Sequence, residues 1–165
     1  MKKTMLTVLF AVSAVMAFAA AKEARIDAYN LGEGRTLKIA DKGTAARTGS
    51  PDWMKQKTRG GALAVFDLKG SEWQTGAVTF SAVGDGKLEI RLLGPYIRIK
   101  DDPKNLQKVY VDYGRIVVNG KTVYEGKDGQ FLSVWHNEPY IIKNIPVKDG
   151  ETVKIEATFR PSAKE

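Results

Sequence analysis

After Lys22 the chain alternates apolar and polar residues with a period of two, and nowhere do apolar residues recur at helical spacing over several turns. Leu88, Ile90 and Leu92 point one way while Lys87, Glu89 and Arg91 point the other. Val153, Ile155, Ala157 and Phe159 alternate in the same manner with Lys154, Glu156, Thr158 and Arg160. Each of these strands is expected to have one dry face and one wet face. Further strands are expected at Thr36 to Ala40, Gly61 to Leu68, Gly76 to Val83, Lys108 to Tyr113, Arg115 to Val118, Lys121 to Tyr124 and Tyr140 to Ile145. Asn119-Gly120 between two β-branched runs marks a two-residue hairpin, because both turn positions need positive φ. Asp149-Gly150 repeats that logic, and Gly84-Asp85-Gly86 supplies a third tight connection. Short strands with frequent turns imply an all-β chain, an antiparallel β-sandwich of jelly-roll-like form, rather than parallel βαβ units.

The first residues read as an address. Lys2 and Lys3 form a positive start, Met5 to Phe18 is an apolar run, and Ala17-Phe18-Ala19 and Ala19-Ala20-Ala21 offer small residues to a signal peptidase. A cleaved signal peptide over residues 1–21 and one β-sandwich domain over 22–165 are expected. The apolar run is shorter than the roughly 20 residues a membrane helix needs, so no transmembrane span is expected. With no Cys and one His, the chain excludes disulfide scaffolds, zinc ribbons, thiol nucleophiles and His-rich metal sites. Export without disulfides points to a bacterial periplasmic or secreted protein.

Chemistry is sought in the long loops. Ser133 to Tyr140 gathers Trp135, His136, Asn137, Glu138 and Tyr140 within a few positions of one another. Sugar recognition uses this mixture, with a flat aromatic face for the C–H side of a pyranose and planar polar groups for its hydroxyls. The alternative reading makes Trp135 and Tyr140 a plug at one end of the sandwich and His136, Asn137 and Glu138 a solvated turn. Trp53, in a polar loop next to Met54, is either a platform or a lid on the core. Tyr96, after Gly94-Pro95, is placed to flank a groove. Trp73 has the parity opposite to Val78 and Phe80 unless Gly76 marks a bulge, and packing at the core or its edge is expected.

A glycosidase needs two facing carboxylates, and no sequence rule pairs any of Glu72, Asp85, Glu89, Asp101, Asp102, Asp112, Glu138 or Glu156 across a cleft. Glu89 and Glu156, beside Lys or Arg, read as wet-face residues. Nucleophile elbows, phosphate loops and dinucleotide fingerprints are missing. The formal charge of +7 loses two units with Lys2 and Lys3, and the remaining cations are interspersed with acids. That pattern fits a solvated surface and not a nucleic-acid stripe.

One stretch resembles a known family. Trp73, Gly76 to Phe80, Asp85 to Gly94 and Val109 to Gly120 resemble the galactose-binding-like jelly roll of carbohydrate-binding modules. The likeness covers about a third of the chain after the leader. It lacks the usual opening Asn-Gly-x-Phe-Glu segment, and a further stretch follows Gly120. It implies glycan binding and, at Asp112 alone, a structural calcium; no other cofactor is implied.

Together these features point to an exported, non-catalytic binding module for a glycan or polysaccharide. Trp135, His136, Asn137, Glu138 and Tyr140 are its favoured surface, with Trp53 and Tyr96 beside them. Two other readings remain. One is an envelope structural or adhesive protein that docks another protein on a sheet edge such as Ile141-Ile142. The other is a small glycoside hydrolase or lyase.

Overall fold

The computed structural model describes residues 20–49, 60–99 and 101–164. The expected leader, apart from its last two residues, and Trp53 lie outside them. Thirteen strands are found among the described residues and no helix. One sheet runs β12 (Tyr140–Val147), β6 (Gly86–Leu93), β1 (Glu23–Leu31), β4 (Gly60–Asp67) and β3 (Arg47–Gly49). The other runs β10 (Lys121–Glu125), β9 (Val111–Val118), β13 (Thr152–Pro161), β5 (Gln74–Val83) and β2 (Thr36–Asp41), with β11 (Leu132–Val134) also paired to β9. A small hairpin of β7 (Arg98–Ile99) and β8 (Asp102–Leu106) stands apart. Every pairing between these strands is antiparallel. The chain passes repeatedly from one sheet to the other, which is the crossing pattern of a jelly-roll-like sandwich. None of the described residues forms a helix long and apolar enough to cross a membrane.

The alternation reads directly into the core. Leu88, Ile90 and Leu92 of β6 face Val153, Ile155, Ala157 and Phe159 of β13 in one buried cluster. Small residues on one sheet, Ala24, Ala28, Ala62 and Ala64, leave room for Phe80, Tyr113 and Phe159 of the other. Gly76 is not a bulge, since β5 and β13 keep register through it; a Cβ there would lie 2.4 Å from the Phe66 ring. The glycine is needed where Phe66 and Phe159 meet, with ring centres 5.0 Å apart.

The stretches expected as separate strands around Gly114 form one strand, β9, with a bulge. Val111 and Tyr113 face inward before it and Ile116 and Val118 after it, so the parity changes, and Gly114 is the extra residue. Asn119 and Gly120 both take positive φ, as their hairpin requires. At Asp149-Gly150 only the glycine does, so the second turn has a different geometry.

Two expectations fail on this frame. Glu89 is buried, not on a wet face, and bonds Arg91 at 2.7 Å. The central strand β1 has no counterpart among the expected strands, because its sequence places Arg25, Asp27 and Tyr29 on one face and Ala24, Ile26, Ala28 and Asn30 on the other, with only one large apolar residue. The edges are also interrupted. β2, β10 and β12 each carry a register shift, β3 is three residues long, and β12 adds Pro146 and a positive φ at Asn144. Such features break the ladder that an added strand would extend, which bears directly on docking at Ile141-Ile142.

Tyr113 ties the two sheets together. Its hydroxyl lies 2.8 Å from the Leu93 carbonyl and 3.0 Å from the Arg25 carbonyl, and it accepts the Arg25 N–H at 3.1 Å. Full burial pushes the phenol well above its ordinary pKa, so it remains a proton donor. Tyr113→Phe should lower unfolding stability by about 1–3 kcal/mol, because it strands backbone groups without water. Urea unfolding measures this, and an unchanged midpoint would refute the role.

Candidate functional site

A cleft of about 380 Å³ opens on the outer side of the β1 sheet, lined by Asp27, Arg91, Leu93, His136, Asn137 and Pro139. Adjacent strands supply its floor. Asp27 of β1 stands opposite Arg91 of β6, and Leu93 follows two residues along the same face. The wall is the turn Trp135 to Glu138, closed by an isolated bridge and by Glu138 N–H donating to the Trp135 carbonyl at 3.2 Å. Gly94 lets this turn come close to the end of β6, since a Cβ there would sit 2.9 Å from the Val134 carbonyl and 3.0 Å from the Trp135 Cα.

Polar groups in the cleft are poorly satisfied. Asp27 is 3% exposed, and its Oδ1 has no hydrogen-bond partner among the described residues. His136 Nδ1 and Arg25 Nε are also buried without one. Burial raises the Asp27 carboxyl to about 6, with Arg25 and Arg91 opposing the rise. Burial, together with Arg25, holds the His136 imidazole below its usual pKa, so at neutral pH it is uncharged. Arg91 is held by Glu89 and lies 4.9 Å from the centre of the Tyr29 ring. At neutral pH the cleft therefore presents a desolvated carboxylate, a neutral imidazole, an amide and a fixed guanidinium. Unsatisfied buried groups converging on one concavity are a signature of a ligand rich in hydrogen-bonding atoms.

The structure distributes the residues singled out from the sequence. His136 and Asn137 line the cleft, and Tyr96 meets His136 edge-on with ring centres 4.5 Å apart. Tyr96 is 41% exposed, so it flanks the mouth. Trp135 is only 8% exposed and has the Lys108 ammonium 5.4 Å from the centre of its ring, so it presents no flat face for stacking. Glu138 is exposed but is not among the lining residues. Tyr140 instead packs on Tyr124 at 5.9 Å, where the edges of the two sheets approach each other. Asp27 and Arg91 went unrecognised in the sequence; the one available signal was a charged residue placed between Ile26 and Ala28 in an alternating run.

Both carboxylate oxygens of Asp112, the residue at which a structural calcium was expected, have partners within the chain. One of its oxygens accepts from Ser133 Oγ at 2.7 Å and the other from Arg160 Nε at 3.3 Å. Among the described residues no three His, Cys, Asp or Glu side chains gather to hold a metal. Trp73, expected at the core edge, is 39% exposed and rests on Gly114 outside the other sheet. Its sequence parity alone gave the correct side. Compared with protein-family models, with curated proteins and with solved structures, the chain matches none.

The Asp27 carboxyl makes stability depend on pH. In the unfolded chain it titrates near 3.8, and in the folded protein near 6. The folded protein binds the proton more tightly, so this contribution is complete below the lower value and is lost as pH rises through the upper one. Asp27→Asn should be more stable than the parent at neutral pH, by up to about 3 kcal/mol. The difference should vanish toward pH 4. Urea midpoints of both proteins across that range test it, and a constant difference would mean that Asp27 is solvated.

Proposed function

We propose that the protein binds a glycan without transforming it, in the cleft formed by Asp27, Arg91, His136 and Asn137. The observation that carries this reading is the pair of unsatisfied buried atoms, Asp27 Oδ1 and His136 Nδ1, on one cleft wall and floor. Sugar hydroxyls donate and accept in turn, which suits a carboxylate that only accepts, a guanidinium that only donates, and an imidazole and an amide that do both. Tyr96 at the mouth offers an aromatic edge and part of a face to the apolar side of a ring.

A hydrolase would need a second carboxylate facing Asp27. Among the described residues none lines the cleft, and Glu89 is engaged by Arg91. In this reading the activity belongs to a bacterial periplasm or the cell exterior, where polysaccharide is available, and the leader-like run Met5 to Phe18 supports that setting. The galactose-binding-like resemblance of residues 73–120 agrees with a jelly-roll scaffold used in this way.

Screening the purified protein on a glycan array and titrating the best neutral oligosaccharide by calorimetry tests the proposal. Asp27→Asn and Asn137→Ala should each weaken binding about tenfold or more, the loss expected for a hydrogen bond to a desolvated group. Asp27→Asn is expected to fold at least as well as the parent, so its loss of affinity cannot be a folding defect. Parent-like affinity in both variants would remove the cleft from the function.

A further inference from the structure

The outer face of the second sheet holds another groove, of about 410 Å³, whose wall and floor include Trp73, Arg115, Gln130, Phe131, Thr158 and Arg160. Its aromatics are exposed although an apolar core lies directly behind them. Trp73 and Phe131 stand edge to face with ring centres 6.0 Å apart. The Arg160 guanidinium lies 4.5 Å from the Trp73 ring centre and 4.8 Å from that of Phe131. Its Nε is held by Asp112, a carboxylate with no solvent exposure. Arg160 is thus fixed by two rings and a buried ion pair, and its terminal nitrogens have no other acid among the described residues. The bulge at Gly114 turns Arg115 outward on the neighbouring strand, where it has no carboxylate partner among the described residues. Among the described residues no acid lines the groove.

We infer that this groove is a separate binding site for an acidic glycan, one whose sugar units carry a carboxylate. The planar guanidinium fork matches a carboxylate in two parallel hydrogen bonds, and the aromatic rings that immobilise Arg160 reduce the ordering cost. Arg115 supplies a second cation. Trp73 and Phe131 offer apolar surface to the C–H side of the pyranose, and Gln130 and Thr158 offer groups for its hydroxyls. Charge complementarity selects the occupant, since Arg115 has no carboxylate partner, Arg160 keeps its terminal nitrogens free of acids beyond the Asp112 pair at its Nε, and no acid lines the groove, all among the described residues. This inference does not rest on the Asp27 cleft, which belongs to the other sheet.

Calorimetric titration with oligogalacturonate, with its methyl ester and with polyglutamate tests it. The expected result is binding of oligogalacturonate with about tenfold or greater weakening on methyl esterification, because the charge-assisted pair is lost. Arg115→Gln and Phe131→Ala, both exposed changes, should each weaken oligogalacturonate binding, while Asp27→Asn leaves it unchanged. Equal affinity for polyglutamate would reduce the groove to a nonspecific anion patch and overturn the proposal. So would equal affinity for the ester, no binding at all, or parent-like affinity in Arg115→Gln. A loss seen only in Asp27→Asn would assign the acidic sugar to the cleft and overturn the groove. Because the cleft is tested with a neutral sugar, either site can fail while the other stands.

Discussion

The Tyr113 hydroxyl is the point on which the arrangement turns. A side chain from β9 crosses the core and bonds the backbone of β1 and the end of β6 in the facing sheet. Those two strands carry Asp27, Arg91 and Leu93, so the same contact that joins the layers also sets the floor of the cleft. On its own strand, Tyr113 stands between Asp112, which anchors Arg160, and Gly114, on which Trp73 rests. One buried phenol thereby positions both concavities on opposite outer faces of the sandwich. The cost of removing water from its oxygen is offset by the backbone groups it satisfies.

The outer faces of the two sheets solve different problems. On the β13 side, apart from the buried Asp112 that Arg160 engages, charges are spread in water, as in the Lys154–Glu156 pair at 2.9 Å, and such pairs contribute little to stability. On the β1 side, Asp27, Tyr29, Glu89 and Val65 are all buried. Glu89 has Arg91 as its partner; Asp27 has opposing cations nearby but an oxygen without a hydrogen bond. An apolar or amide side chain would suit that position better for folding alone. A carboxylate kept there against its own desolvation is explained most directly by a ligand whose donors complete it.

How much of this could be read in advance follows from which signals are local. The inward sets Leu88, Ile90, Leu92 and Val153, Ile155, Ala157, Phe159 were legible because period-two alternation is a property of neighbouring residues. The Asn119-Gly120 hairpin was legible for the same reason. β1 was not, since a central strand with charged residues on one face imitates a surface segment until its cover is known. Glu89 was misplaced by the same limit: nothing in Lys87-Leu88-Glu89-Ile90-Arg91 says that its second face is also covered. The loop Trp135 to Asn137 singled out from the sequence does border the cleft, but Trp135 is buried, and His136 and Asn137 are its lining residues. Arg115 and Arg160 are distant in sequence and mixed with acids, so their shared face exists only through the β9–β13 register and its bulge.

That register also leaves the two concavities already ordered for the glycan binding proposed for them. Asp27 and Arg91 are held by strand pairing on both sides of β1, and the His136 turn is fixed by its own bridge and by the close approach at Gly94. Arg160 is clamped by Trp73, Phe131 and Asp112. Immobilising a long side chain on binding costs roughly 0.5–1.5 kcal/mol, and here much of that ordering is already part of folding. For ligands as solvated as sugars, whose hydroxyls exchange water for protein at small net gain, this saving weighs heavily in the balance. A sandwich that fixes its polar side chains on strands instead of mobile loops can hold such a ligand with few contacts, because the cost of arranging those contacts was met when the core closed.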